Sequence, residues 1–204
     1  MTDRRRTPVL SLVTAAVLVL LLSAWLSAGW SEEGVRIVVR WTAKIAVLLF
    51  AAAFSASSLR LFWRSGATRW LIAHRRRLGL AFAFVMTVHL LALVVLGFAF
   101  PSPFVDGLNA FVLVGGGLGY ALMFAMAATS NDASVRRLGV RRWRMLHTVG
   151  GWYLWVIFLQ SYLGRVLVDP THAPYAVLLF AVLGVRVARR LRERGGEVHG
   201  AAAA

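Results

Sequence analysis

Long apolar runs alternate with short basic clusters along this chain. Six of the runs approach the length a helix needs to cross a hydrocarbon core. The first covers about residues 8–29, with Trp25 and Trp30 near its far end as interface anchors. The second is uncharged only from Ile45 to Leu59, and the stems of Lys44 and Arg60 must snorkel to extend it to about 41–62. The third runs over 78–100 and stops at Pro101 and Pro103, which cannot continue a helix. The fourth, 108–129, carries Gly115, Gly116, Gly117 and Gly119, residues small enough for another backbone or a flat ligand to approach. Plain helix packing is their ordinary role. The fifth is 145–164, free of charge between Arg144 and Arg165, and the sixth is 174–187. The pattern predicts an all-α integral membrane bundle of six helices forming one transmembrane domain, with a disordered tail over 188–204.

Composition agrees with the pattern. The 204 residues are 59% hydrophobic, with a mean hydropathy of +0.71, whereas a soluble domain is only about half apolar. There is no cysteine, which rules out disulfides, thiolate metal sites and iron–sulfur clusters. The N-terminal MTDRRRTPVL resembles the charged region of a signal peptide. The apolar run behind it, Thr7 to Ser31, exceeds a signal peptide's core and reads as a retained first helix.

The charge of +15 suggests nucleic acid in a soluble chain. Here the arginines lie between spans and leave no soluble basic face, so no nucleic-acid partner is expected. Sorted by loop, 19 of the 23 basic residues fall on one side: Arg4 to Arg6, Arg60 to Arg77, Arg136 to Arg144 and Arg186 to Arg194. The positive-inside rule puts that side, and both termini, in the cytoplasm. The opposite turns carry Glu32, Glu33, Asp106 and Asp169. The exceptions are Arg165 and a stripe of Arg36, Arg40 and Lys44, which share one face of the second helix at i, i+4 and i+8. Glu32 is placed to pair with Arg36. The stripe is either a solvated helix end or a set of cations aimed at an acidic group inside the bundle, such as a haem propionate.

Five histidines are present. His172 and His199 fall in a loop and the tail, leaving His74, His89 and His147. A polar ring in hydrocarbon must be satisfied by something, which makes each a functional candidate. At 1.5 Å per residue, His147 lies ~3–5 Å inside the cytoplasmic boundary and His89 about 16 Å deep. The two occupy different levels. His74 approaches the level of His147, and Gln160 approaches that of His89. Two stacked sites result, and axial histidine is one way to hold haem. No nucleophile–base set, phosphate loop or acidic metal cluster accompanies them.

Three stretches carry a family resemblance: WTAKIAVLLFAAAFSASSLR, RRRLGLAFAFVMTVHL and LGVRRWRMLH. They resemble the second, third and fifth helices of the ferric reductase-like transmembrane family, and within it the haem-b membrane subunits that serve bacterial methionine sulfoxide reductases. The resemblance covers about Trp41 to Gly164. It implies haem b, one or two, with His89 and His147 as iron ligands; the depth levels add His74 and Gln160 beside the cofactor, and the basic stripe adds Lys44 and Arg40 as residues for its propionates. Two departures stand out. The family's second histidine on the fifth helix is Gln160 here. The related NADPH oxidases carry a histidine fourteen residues before the outer ligand of the third helix, and Arg75 holds that position here, next to His74.

The expected function is transmembrane electron transfer in a bacterial-type inner membrane. A quinol or a cytoplasmic donor supplies electrons, and a separate acceptor protein or a ferric chelate takes them outside. Membrane lipid is the surrounding partner. The alternative is a non-enzymatic bundle that lost its haem, for which Gln160 speaks.

Overall fold

The computed structural model describes residues 9–101 and 110–202. The expectations that rest on Arg4 to Arg6, Pro8, Pro103, Asp106 and Leu108 lie outside them, as does the side chain of His199. Every regular element among the described residues is helical. In chain order these are α1 (Val9–Ala28), α2 (Glu32–Phe62), α3 (Gly66–Ala99), α4 (Ala110–Ala128), α5 (Asp132–Leu138), α6 (Val140–Val166), a 3-10 turn (Pro170–His172) and α7 (Ala173–Ala202).

Several boundaries differ from the hydropathy reading because caps, not apolar runs, set them. Ser31 accepts a hydrogen bond from the Gly34 N–H, and Glu32 and Glu33 occupy the first turn, where carboxylates offset the helix dipole. α2 therefore starts nine residues before its apolar stretch. Ser65 and Thr68 form a reciprocal capping box, so α3 starts at Gly66 rather than 78. The short α5 is capped by Asn131. α7 continues to Ala202, so the segment expected as a disordered tail is helical up to that residue. A single residue, Gly139 at φ 76° and ψ 149°, separates α5 from α6. Asp169 caps the 3-10 turn. The Thr171 hydroxyl, then the Thr171 N–H, hold its carboxyl below the ordinary carboxylate value.

Among the described residues, four stretches are long and apolar enough to cross a membrane: α1, α2, α3 and Pro170–Arg194. Val112–Ala128 with Asp132–Leu138, bent by 105°, makes a fifth if the pair is one span. The chain is a multi-pass membrane protein. α6 is not among these stretches. Its 27 residues include His147, Gln160, two tryptophans and two tyrosines between positions 147 and 166. A helix lined by protein on several sides can carry such residues.

α2 packs on α1, α3 and α7, while α6 packs on α4 and α7. Where they meet, Phe50, Phe54, Phe82 and Phe158 form an aromatic layer. Phe50 lies 5.0 Å from Phe54, 5.6 Å from Phe82 and 5.3 Å from Phe158, ring centre to ring centre. Gly151 permits the close approach, since a Cβ there would sit 2.9 Å from Phe54 Cε2. Trp155 Nε1 donates to the Leu179 carbonyl at 3.0 Å and ties α6 to α7. Arg186 on α7 donates through Nη1 to the Phe54 carbonyl at 2.7 Å and lies 3.8 Å over the Phe54 ring.

Candidate functional site

His89 is partly buried on α3 and faces α2. Its Nδ1 lies 3.1 Å from the Val39 carbonyl and 2.9 Å from Thr42 Oγ1. Thr42 is fully buried and donates its own hydroxyl proton to the Val38 carbonyl at 2.6 Å. A carbonyl and a committed hydroxyl can only accept, so Nδ1 carries the ring proton. Nε2 keeps its lone pair, the state a metal-ligating histidine needs.

His147 lies near the start of α6. Its ring packs 4.4 Å from Trp143, and its Nε2 is 3.3 Å from Thr129 Oγ1. Thr129 donates to Ala125, and Trp143 Nε1 donates to the Thr129 carbonyl at 3.0 Å, which fastens this turn of α6 to the end of α4. His147 also lines a half-open cavity of about 950 Å³ between α2, α3, α4, α5, α6 and α7. Phe50, Phe54, Phe82, Met123 and Leu154 supply apolar wall, Arg75, Arg76, Arg144, Arg186, Arg189 and Arg190 supply positive charge, and Asp132 and Glu193 supply two carboxylates. This shape suits a largely apolar ligand with anionic groups at one end.

The structure does not place His74 in that cavity. His74 is buried, bonds through Nδ1 to the Trp70 carbonyl at 2.8 Å and stacks on the Trp70 ring. Its neighbour Arg75 takes the wall position, donating to the Ala53 carbonyl at 3.0 Å and to Ser57 Oγ at 3.3 Å. One residue along a helix turns a side chain by about 100°, and that turn is the difference. His89 likewise lies outside the cavity's lining. Gln160 is exposed, off the buried stripe of α6 that runs through Gly151, Leu154, Phe158 and Tyr162.

The basic stripe divides. Arg36 pairs with Glu32 at 2.6 Å, as the spacing predicts, and Arg40 pairs with Glu33. Both pairs sit at the exposed start of α2, which is the solvated-end reading for those two residues. Lys44 is partly buried and lies 4.9 Å over the Trp41 ring. Thr42, Thr129 and Arg186 carry no site reading from the sequence. Polar residues inside apolar runs were the available signal for the two threonines.

The family model for the ferric reductase like transmembrane component matches residues 42–158, from Thr42 on α2 to Phe158 on α6. The chain belongs to the ferric reductase-like transmembrane family. The ferric reductase-like segment contains Thr42, Lys44, His74, His89 and His147, and it ends two residues before Gln160. Curated relatives point the same way. The chain is 35% identical over 121 residues to the protein-methionine-sulfoxide reductase heme-binding subunit MsrQ of Ralstonia nicotianae, covering 58% of this chain and 54% of that protein. It is 31% identical over 134 residues to the MsrQ of Polaromonas naphthalenivorans, with 63% and 58% covered. It is 33% identical over 141 residues to that of Azospira oryzae, with 62% and 55% covered. The chain thus spans about half the length of the curated relatives it matches. No solved structure matches.

Proposed function

We propose that this ferric reductase-like chain is a haem-b-binding electron carrier of a bacterial inner membrane, with six spans and both termini cytoplasmic. The observation that carries the reading is the cavity of about 950 Å³ with His147 in its wall and arginines at one end. Relatives whose names describe a heme-binding subunit support it.

The residues present fit such a group at two levels. In the inner one, His147 would offer an imidazole, Arg75, Arg144 and Arg186 would face propionate charge, and Gly151 keeps α6 slim. In the outer one, His89 holds its proton on Nδ1 and would offer Nε2. When bound, haem supplies a site that stores one electron at a time. The chain's own residues orient the ligands, exclude water with the Phe50–Phe54–Phe82–Phe158 layer and balance charge. A quinol or a cytoplasmic protein is the proposed donor. The proposed acceptor is a separate protein outside, in keeping with relatives named as subunits of a methionine sulfoxide reductase, or else a ferric chelate.

The visible spectrum of the purified protein, reduced with dithionite, tests this. A b-type spectrum that His147→Ala or His89→Ala diminishes is the expected result. A colourless protein from haem-supplemented cells would favour a bundle without haem, the reading to which Gln160 and the single histidine at each level lend weight.

A further inference from the structure

A smaller pocket of about 460 Å³ opens beside the cavity, between the end of α2 and α7. Its lining is Ser57, Arg60, Leu61, Arg64, Arg189 and Glu193. Arg60, Leu61 and Arg64 belong to this pocket and not to the cavity. We propose that it binds the phosphate of an anionic phospholipid from the leaflet at the arginine-rich end.

Three features lead there. The first is unbalanced charge. Glu193, the pocket's one carboxylate, is engaged by Arg189 Nε at 2.8 Å, and Arg60 and Arg64 form no ion pair with a carboxylate among the described residues. The second is an unmet donor. Arg60 Nη1 is shielded from solvent and has no hydrogen-bond partner among the described residues. Leaving a shielded guanidinium N–H unpaired is costly, and a phosphate oxygen relieves that cost with a charge-assisted bond. The third is depth. Trp63 directly precedes Arg64, and Trp63 and Trp70 are 57% and 43% exposed, as expected of side chains at the headgroup level. Leu61, 37% exposed, gives acyl chains an apolar flank next to the charged pocket. Basic pockets between spanning helices are a recurrent way to hold anionic head groups. A zwitterionic choline lipid would bring its own cation against these arginines and is disfavoured. The inference stands apart from the haem reading and borrows only its orientation, which makes the leaflet cytoplasmic.

Native mass spectrometry of the full-length protein in a neutral detergent tests it, with phosphatidylglycerol, phosphatidylcholine and inorganic phosphate as separate probes. Wild-type protein should retain about one phosphatidylglycerol per chain, bind phosphatidylcholine at least about tenfold more weakly and resist displacement by millimolar phosphate. Arg60→Gln with Arg64→Gln should weaken phosphatidylglycerol binding about tenfold or more, while Arg137→Gln, on the exposed face of α5, should not. The dithionite-reduced spectrum should be the same in all of these proteins. The proposal fails if wild-type protein holds no anionic lipid, whether or not the double variant folds. It also fails if phosphate alone displaces the lipid, if Arg137→Gln is equally damaging, or if the double variant loses haem absorption and keeps its lipid.

Discussion

The Thr42 hydroxyl on α2 and the His89 imidazole on α3 meet at 2.9 Å inside the bundle, and the direction of that hydrogen bond follows from Thr42's other bond, to Val38. A fully buried threonine thereby sets the tautomer of a histidine 47 positions away. Removing the hydrogen-bond partner of a metal-ligating histidine typically changes metal affinity by about 10–100-fold. Thr42→Val keeps the shape and deletes the acceptor. Haem retention at the outer level should fall by about tenfold, read as the ratio of haem to protein after size exclusion. An unchanged ratio and reduction potential would show that Val39 alone orients His89.

Gln160 offers an amide where an imidazole would ligate iron. Position 160 is exposed and off the buried stripe of α6, so a ring there joins the outer level only if a cofactor is bound against that face of the helix. Gln160→His should convert a high-spin or mixed spectrum into a low-spin bis-histidine one with tighter haem retention, and His147→Ala should leave that gain intact. If the spectrum ignores Gln160→His and His147→Ala abolishes it, the two-level arrangement is wrong.

Gly151 and Gly184 make a matched pair. A methyl group at Gly151 meets the Phe54 ring at 2.9 Å, whereas one at Gly184 meets nothing within 4 Å. Gly151→Ala forces the aromatic layer apart and should cost about 1–3 kcal/mol. Gly184→Ala should be neutral or stabilise α7 by up to about 1 kcal/mol. Thermal unfolding in detergent separates them, and equal melting temperatures would mean that the α2–α6 contact is looser than its geometry.

The 19-to-4 split of basic residues predicts orientation. A topology reporter fused after Ala204 should report cytoplasm, and one inserted at Asp106 should report the outside. An external signal from the C-terminal fusion would end the six-span arrangement.

Helix identity was legible because apolar runs between arginines leave little choice of structure. Boundaries were less so. Ser31–Glu32–Glu33 and Ser65–Thr68 are readable caps, but a search for apolar stretches passes over the polar turns they begin. Arg36 with Glu32 was readable, being one turn apart on one helix. The cavity and the Thr42–His89 bond were not, since each depends on how separate helices meet. The neighbouring positions 74 and 75 mark the limit of spacing arguments: the histidine was visible in the sequence, yet the helix turns its neighbour into the cavity.

Gly139 is the whole joint between α5 and α6, with open space around its α-carbon and a backbone angle that L-residues rarely adopt. Such a joint has room without slack. Arg76 on α3 pairs with Asp132 at the far end of α5 across an exposed contact of 3.2 Å, so α5 is tethered to α3 at one end and, through Gly139, to α6, the helix of His147, at the other.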